Sequence, residues 1–114
     1  MFTIRNNFAY WCTDRRRLKT FCIDSNDNKI SYDDLKVKVK NFSALLRNKY
    51  KISPQKRVGI YINVTVSWPI AFLSCIYIGA NPLLLYRNIL KKDVIDICKT
   101  ADCDTIICEQ SDTF

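Results

Sequence analysis

The chain has 114 residues and a formal net charge of +7, and hydrophobic residues make up 48% of it, as in one small globular domain. It contains no His and only two Gly, Gly59 and Gly79. Without His there is no Ser–His or Cys–His nucleophile pair and no imidazole zinc ligand, and two separated Gly cannot form a Gly-rich phosphate loop. Taken alone, the chain is a poor candidate for a complete nucleotide-using enzyme.

The first third of the chain predicts a helix followed by a β-hairpin. Residues 3–12 should form a short amphipathic helix, because apolar side chains recur there at helical spacing. Residues 20–24 have the composition of a strand, and 25–28 are a Ser-Asn-Asp-Asn turn cluster. The strand-like return over 29–32 therefore predicts a hairpin.

A longer helix should follow, beginning at Ser31 or Asp33 and running to about Asn48. A side-chain oxygen at either starting residue can accept a hydrogen bond from the free N–H groups of the first turn. The apolar residues of this segment form one stripe at helical spacing. They are Leu35, Val39, Phe42 and Leu46. The basic residues Lys36, Lys40 and Arg47 lie on an adjoining face and predict a solvated surface.

The stretch 58–86 carries no charged residue, and its length would suit a transmembrane helix. Gly and Pro residues interrupt it at 59, 69, 79 and 82. A buried strand over 58–62, a helix from Ser67 to near Gly79 and a second buried strand over 83–86 explain the run better, because parallel strands covered on both faces read as continuous apolar runs. We therefore expect no membrane insertion, and a small membrane protein stays an alternative.

The C-terminal part predicts one more helix and one more strand. Residues 91–101 should be helical, and 105–108 should form the last strand. The helix places apolar residues on one side, which are Leu90, Val94, Ile97, Cys98 and Ala101. After the hairpin the order is α-β-α-β-α-β, which predicts a three-layer α/β unit over residues 1–114, with a partly parallel sheet flanked by helices.

Six cysteines allow three interpretations: a disulfide scaffold, a metal site or free thiols. They are Cys12, Cys22, Cys75, Cys98, Cys103 and Cys108. The last three are regularly spaced, but no C-x-x-C pair and no His accompany them, so we favour small hydrophobic residues in a core. The segment before Cys12 has no apolar signal-peptide region. We therefore expect free thiols and a cytoplasmic location.

Several residues have both a chemical and a structural interpretation. The pair Asp33–Asp34 could serve acid–base chemistry, but acidic residues in a first helical turn also favour the helix dipole. Arg15–Arg17 with Lys19 could bind phosphate or nucleic acid, yet no aromatic residues are interleaved with them. Trp68 and Tyr77 fit a core better than a ligand-stacking platform. We expect no catalytic, cofactor-binding or metal-binding residue in this chain, and no specific nucleic-acid partner.

Ordered motifs along the chain resemble one family. Residues 30–35 resemble the motif L-T-Y-x-E-L, and 57–61 with 68–73 are similar to the two ends of R-V-A-I-x-x-x-N-x-x-x-W-x-x-A-F-L. Residues 76–80 are similar to L-K-A-G-A. These motifs are typical of the adenylate-forming enzymes, namely acyl-CoA synthetases, aryl-acid CoA ligases and peptide-synthetase adenylation domains. The resemblance extends over roughly residues 3–110 and concerns the N-terminal part of those enzymes.

The resemblance implies a carboxylic acid:thiol ligase that forms an acyl-AMP from ATP and then transfers the acyl group to CoA or a carrier thiol. ATP, magnesium and CoA are implied for the complete enzyme. The family's phosphate loop, its aromatic-Gly-x-Thr-Glu motif, its ribose-binding Asp and its late catalytic Lys do not occur in these residues. The resemblance therefore implies an inactive N-terminal fragment that supplies scaffold and a wall of the large domain.

An incomplete sheet would expose its edges and apolar faces. We therefore expect the chain to associate with the remainder of such an enzyme, or with itself through an open sheet edge. The alternative is a small basic α/β interaction module that has no catalytic activity and pairs through the same edge.

Overall fold

The computed structural model describes Phe8, Cys12 and residues 16–114. The elements in this part are β1 (Thr20–Ile23), β2 (Lys29–Ser31), α1 (Tyr32–Asn48), β3 (Arg57–Tyr61), α2 (Ser67–Tyr77), β4 (Asn81–Leu84), α3 (Lys91–Thr100) and β5 (Thr105–Cys108). The predicted helix over 3–12 lies mostly outside the described residues. Within it Phe8 is helical and buried, and the N–H of Cys12 donates to the carbonyl of Phe8 at 3.2 Å.

The predicted hairpin is confirmed. Strands β1 and β2 pair antiparallel, with Thr20 opposite Ser31 at one end. The turn between them is organised by Asp24, whose Oδ1 accepts hydrogen bonds from the N–H groups of Asn26 at 2.9 Å and Asn28 at 3.0 Å. This is the side-chain-to-backbone pattern that makes Asp common in turns.

Helix α1 begins and ends where the sequence predicts. The Ser31 hydroxyl oxygen accepts a hydrogen bond from the N–H of Asp34 at 3.1 Å and so caps the helix. Leu35, Val39 and Leu46 are buried, and Phe42 is half-buried beside them. The apolar stripe of the sequence is therefore the inner face of this helix.

Strand β3 lies at the centre of a parallel sheet of order β4-β3-β5. Ile60 packs in one apolar cluster with Leu46 of α1 and Cys75 of α2, and Tyr61 packs in another with Val94 of α3. Since successive side chains of a strand point to opposite faces, α1 and α2 cover one face of the sheet and α3 covers the other. The three-layer α/β architecture with an N-terminal hairpin is confirmed.

Strand β4 begins at Asn81, ahead of its predicted start, and includes Pro82. The N–H of Asn81 donates to the carbonyl of Lys56 at 2.8 Å, and the N–H of Leu85 donates to the carbonyl of Ile60 at 3.1 Å. Alternate residues of β4 thus face β3, which leaves residue 82 facing the outer edge. A Pro is tolerated there because no N–H is needed.

The apolar side of α3 is only partly buried. Val94 and Cys98 are buried, but Ile97 is 36% exposed and Leu90 is 61% exposed. Leu90 occupies the N-cap position, where the chain has not yet entered the helix. Among the described residues no helix is long and apolar enough to cross a membrane.

Candidate functional site

The ends of β3, β4 and β5 meet at one edge of the parallel sheet, which we call the carboxyl edge. The segment after β3 leads to α2 on one face of the sheet, whereas the segment after β4 leads to α3 on the other face. Neighbouring strands whose connections diverge in this way form a topological switch point, where α/β proteins bind their ligands. The carboxyl edge is therefore the candidate site.

A cleft of about 440 Å³ opens between the ends of β3 and β5, and we call it the β3–β5 cleft. Its apolar floor includes Phe42, Ile62 and Ile107. Polar groups of its rim come from four elements and loops; they are Lys38, Asn63, Thr65, Ser67 and Glu109. The Glu109 carboxylate accepts a hydrogen bond from the N–H of Asn63 at 2.8 Å, so this acid joins the two strand ends.

A second cleft, of about 250 Å³, lies between the ends of β3 and β4. Its lining is mainly apolar and includes Trp68, whose ring stacks on Phe72 with centroids 5.4 Å apart and an interplanar angle of 11°. Three of its lining side chains, Val64, Leu84 and Tyr86, are more than half exposed. Together they form an exposed apolar patch at the switch point.

Arg87 and Asp112 form a bidentate ion pair at this edge. The two Nη–Oδ distances are 2.7 and 2.9 Å, and the Asp112 side chain is only 3% exposed. Lys91 Nζ lies 3.3 Å from the same carboxylate, and the N–H of Glu109 donates to it at 3.0 Å. The hydrogen bonds from Arg87 lower the pKa of Asp112 from 3.8 to about 2. This carboxylate is therefore ionised at neutral pH and cannot act as a general base near pH 7.

Tyr61 joins this ion pair to the sheet. The Arg87 guanidinium lies 4.5 Å from the centre of the Tyr61 ring, and the Tyr61 hydroxyl donates to the carbonyl of Ile89 at 2.6 Å. The Phe114 ring meets Tyr61 edge-on, with centroids 5.9 Å apart. These contacts hold residues 109–114 against the carboxyl edge. The charged side chains of the cluster therefore stabilise the fold.

The six cysteines are free thiols, as predicted. Burial raises the pKa of Cys75 to about 11, and burial likewise raises the pKa of Cys12, Cys22 and Cys108. A thiol with a raised pKa is a weak nucleophile at neutral pH, because the thiolate is the reactive form. The arrangement of these thiols therefore suits packing better than nucleophilic catalysis.

The other residues with a chemical interpretation take structural positions. Asp33 and Asp34 are exposed in the first turn of α1. Trp68 and Tyr77 pack half-buried against the core. Arg17 and Lys19 are exposed, and Arg15 lies outside the described residues. Of these residues, Trp68 lines the second cleft at the carboxyl edge.

A magnesium site would need several oxygen ligands converging on one point. Within the described ranges no group of three or more His, Cys, Asp or Glu side chains could hold a metal ion. These residues therefore do not fit a magnesium site of their own.

Comparison with known proteins explains the fold. A model of the AMP-binding enzyme family matches residues 8–114. The chain belongs to this family. A comparison with curated proteins found no match.

Solved structures give the same architecture. The N-terminal subdomain of NpsA from Klebsiella oxytoca, in complex with 3-hydroxybenzoyl-AMSN, matches 100% of this chain and 28% of its own at a TM-score of 0.88 and 19% identity. A benzoate CoA ligase from Burkholderia xenovorans LB400 matches 97% of this chain with a TM-score of 0.85 and 22% sequence identity. The match covers 22% of the ligase chain. The chain therefore spans less than a third of these structures, and the likeness establishes its fold as that of their N-terminal portion.

The ion pair at the carboxyl edge was missed by sequence reasoning. Arg87 was visible as the first charge after a long uncharged run. No sequence pattern indicated that Asp112 pairs with Arg87, because the two residues are 25 positions apart and the segment around Asp112 has no periodicity. Only the parallel pairing of β3 with its two neighbours brings the two residues together.

Proposed function

We propose that this chain forms the N-terminal segment of the large domain of an adenylate-forming ligase. The complete enzyme would activate a carboxylic acid with ATP as an acyl-AMP and transfer the acyl group to a thiol such as CoA. The observation that carries the proposal is the family match over residues 8–114.

In this proposal the chain contributes framework and no catalytic group. Activation of an acid requires the phosphates of ATP to be held while the carboxylate attacks, which is a task of positioning and charge stabilisation. At the carboxyl edge Arg87 and Lys91 are instead engaged with Asp112. ATP, magnesium and the thiol would be bound by residues outside this chain, and the isolated chain would be inactive.

The free edge of β5 is the proposed contact with the remainder of the enzyme. In the described part of the parallel sheet β4 and β5 are the edge strands, and β4 carries Pro82. Strand β5, Thr105–Cys108, has no Pro, and all four of its residues are half-buried. An edge of this kind pairs readily with another strand.

The experiment compares the isolated chain with the assembly that a tagged chain forms in its own cells. We expect no acid-dependent exchange of pyrophosphate into ATP from the isolated chain, and exchange from the assembly. Ile107→Asp, at the β3–β5 cleft, should abolish recovery of the exchange activity. The matched change Ile97→Asp, on the exposed side of α3, should leave it intact. An assembly without exchange activity for any acid in a broad panel would contradict the proposal.

A non-catalytic interaction module is the second candidate. The observation that favours it is the exposed apolar patch of Val64, Leu84 and Tyr86 at the switch point. A module of this kind would form an assembly through that patch, and the assembly would show no exchange. Leu84→Asp would then disrupt the assembly, whereas Ile107→Asp would not.

A further inference from the structure

The C-terminal end of α3 places two cysteines opposite each other. The N–H of Cys103 donates to the carbonyl of Cys98 at 2.8 Å, and the N–H of Asp102 donates to the carbonyl of Lys99 at 3.3 Å. Asp102 has a φ of 54°, in the left-handed region. These are the features of a Schellman motif, which brings together the side chains at the positions that Cys98 and Cys103 occupy.

Helix α2 ends in the same motif and provides an internal comparison. The N–H of Ala80 donates to the carbonyl of Cys75 at 2.9 Å, and Gly79 has a φ of 80°. There the residue opposite the cysteine is Ala, whereas at the end of α3 it is a second cysteine. The pairing of two thiols is thus a particular property of the α3 end.

The two thiols share one small apolar cluster. Cys98 is 5% exposed and Cys103 is 8% exposed, and both pack in the cluster that contains Val94. Burial, and to a smaller extent the neighbouring Cys103 thiol, raise the pKa of Cys98 to about 11. The thiols are therefore close enough to influence each other.

We propose that Cys98 and Cys103 are a modification site, at which a low-molecular-weight disulfide such as oxidised glutathione converts the two thiols into an intramolecular disulfide. The backbone hydrogen bond between the two residues keeps their main chains close, as a disulfide requires. The Cys103 thiol donates to the carbonyls of Thr105 at 3.3 Å and Arg57 at 3.5 Å, and it would give up these contacts when it bonds to Cys98.

Access to the pair runs through the exposed end of α3. Cys103 lies between Asp102 and Asp104, which are both exposed. The last turn is held from outside by Arg57, whose Nη1 donates to the carbonyl of Ala101 at 2.6 Å. Helix ends open locally more readily than the body of a fold. Opening of this turn would present Cys103 to the oxidant before Cys98.

The reaction proceeds in two exchange steps. The Cys103 thiol loses its proton to water, and its sulfur attacks one sulfur of oxidised glutathione, whose S–S bond breaks and releases one glutathione thiolate. The Cys98 thiol then loses its proton, and its sulfur attacks the Cys103 sulfur and releases the second glutathione. The cysteines lose two electrons in total, and the glutathione disulfide gains them and is released as two thiols.

The other cysteines provide the competing outcomes. Cys75 lies in the cluster on the opposite face of the sheet, and Cys108 lies near the Arg87–Asp112 ion pair. Cys12 and Cys22 share the cluster between the hairpin and α1, so they are the strongest competing pair. The proposal requires the pair at the end of α3 to oxidise in preference to these two.

The experiment treats the folded chain with excess oxidised glutathione, blocks the remaining thiols by alkylation and maps the peptides without reduction. Trypsin cleaves after Lys99, so a Cys98–Cys103 disulfide appears as two peptides that are joined until a reductant is added. The second peptide also contains Cys108, and Cys108→Ser removes that ambiguity. We expect the joined peptides in both proteins and a single glutathione adduct in Cys98→Ser.

A second measurement tests the order of the steps. Because burial raises the pKa of Cys98, ring closure should still accelerate as the pH rises from 8 to 10. A Cys12–Cys22 link, glutathione adducts alone, or unmodified thiols in a chain whose circular dichroism shows it to be folded would each overturn the proposal.

Discussion

The hydroxyl of Ser74 in α2 donates to the carbonyl oxygen of Val39 in α1 at 3.4 Å, and both residues are fully buried. The Ser43 hydroxyl of α1 donates in return to the carbonyl of Ser74 at 3.5 Å. Small side chains at a crossing allow two helices to approach closely. The two serines therefore set the spacing of the layer that covers one face of the sheet.

Enlarging Ser74 should separate the two helices. We expect Ser74→Leu to lower the free energy of unfolding by about 1–3 kcal/mol through overpacking, and Ser74→Ala to lower it by about 1 kcal/mol through the lost hydrogen bond. Urea denaturation followed by circular dichroism measures both. Ser53→Ala, at an exposed position, should stay within about 0.5 kcal/mol of the parent. Equal stability of the Leu variant and the parent would show that the crossing is not tightly packed.

The ends of α2 and α3 make a matched pair of backbone tests. Gly79 and Asp102 occupy the same left-handed position of a Schellman motif, with φ values of 80° and 54°. Gly79→Ala should lower the free energy of unfolding by about 1 kcal/mol, and Asp102→Gly should raise it by a few tenths to about 1 kcal/mol. The thermal midpoints should move in opposite directions. A stabilising Gly79→Ala would contradict the assignment.

Stability should depend on pH through Asp112. Its pKa is lowered from 3.8 to about 2, so the native state binds its proton less readily than the unfolded state does. Its contribution is fully present above the unfolded pKa and is lost as pH falls from about 4 to about 2. Urea midpoints of the parent and Asp112→Asn should converge over that range. The exposed Asp96→Asn serves as control, and a constant difference down to pH 2 would refute the role of Asp112.

Gly59 tests the close packing between β3 and its neighbours. A Cβ at this position would lie 3.1 Å from Leu85 Cδ1 and 3.3 Å from Ile106 Cγ1. Leu85 Cδ1 is the end of a side chain that can shift slightly, and the contact with Ile106 Cγ1 is a few tenths of an ångström longer than the minimum, so Gly59→Ala should change the free energy of unfolding by less than about 1 kcal/mol. Gly59→Val should lower it by about 1–3 kcal/mol. If adding Leu85→Val does not restore the stability of the Gly59→Val variant, the contact with Leu85 is not the cause of the lost stability.

The helices and strands were largely predictable because each depends on its own periodicity and on local signals. Ser31 caps α1 by a hydrogen bond to a residue three positions away, which a sequence displays directly. The start of β4 was misplaced because it depends on the carbonyl of Lys56 in another segment. The Arg87–Asp112 ion pair was not predictable, since it follows from strand order. Contacts between residues close in the sequence could be predicted, whereas contacts that depend on the order of the strands could not.

Pro82 on the outer edge of β4 has a consequence for self-association. A fibre built by adding one copy after another needs two competent edges, so that β5 of each copy can pair with β4 of the next. Pro82 removes a donor from one of those edges. Copies that meet through β5 would therefore form a closed twofold dimer, and growth would end at two chains.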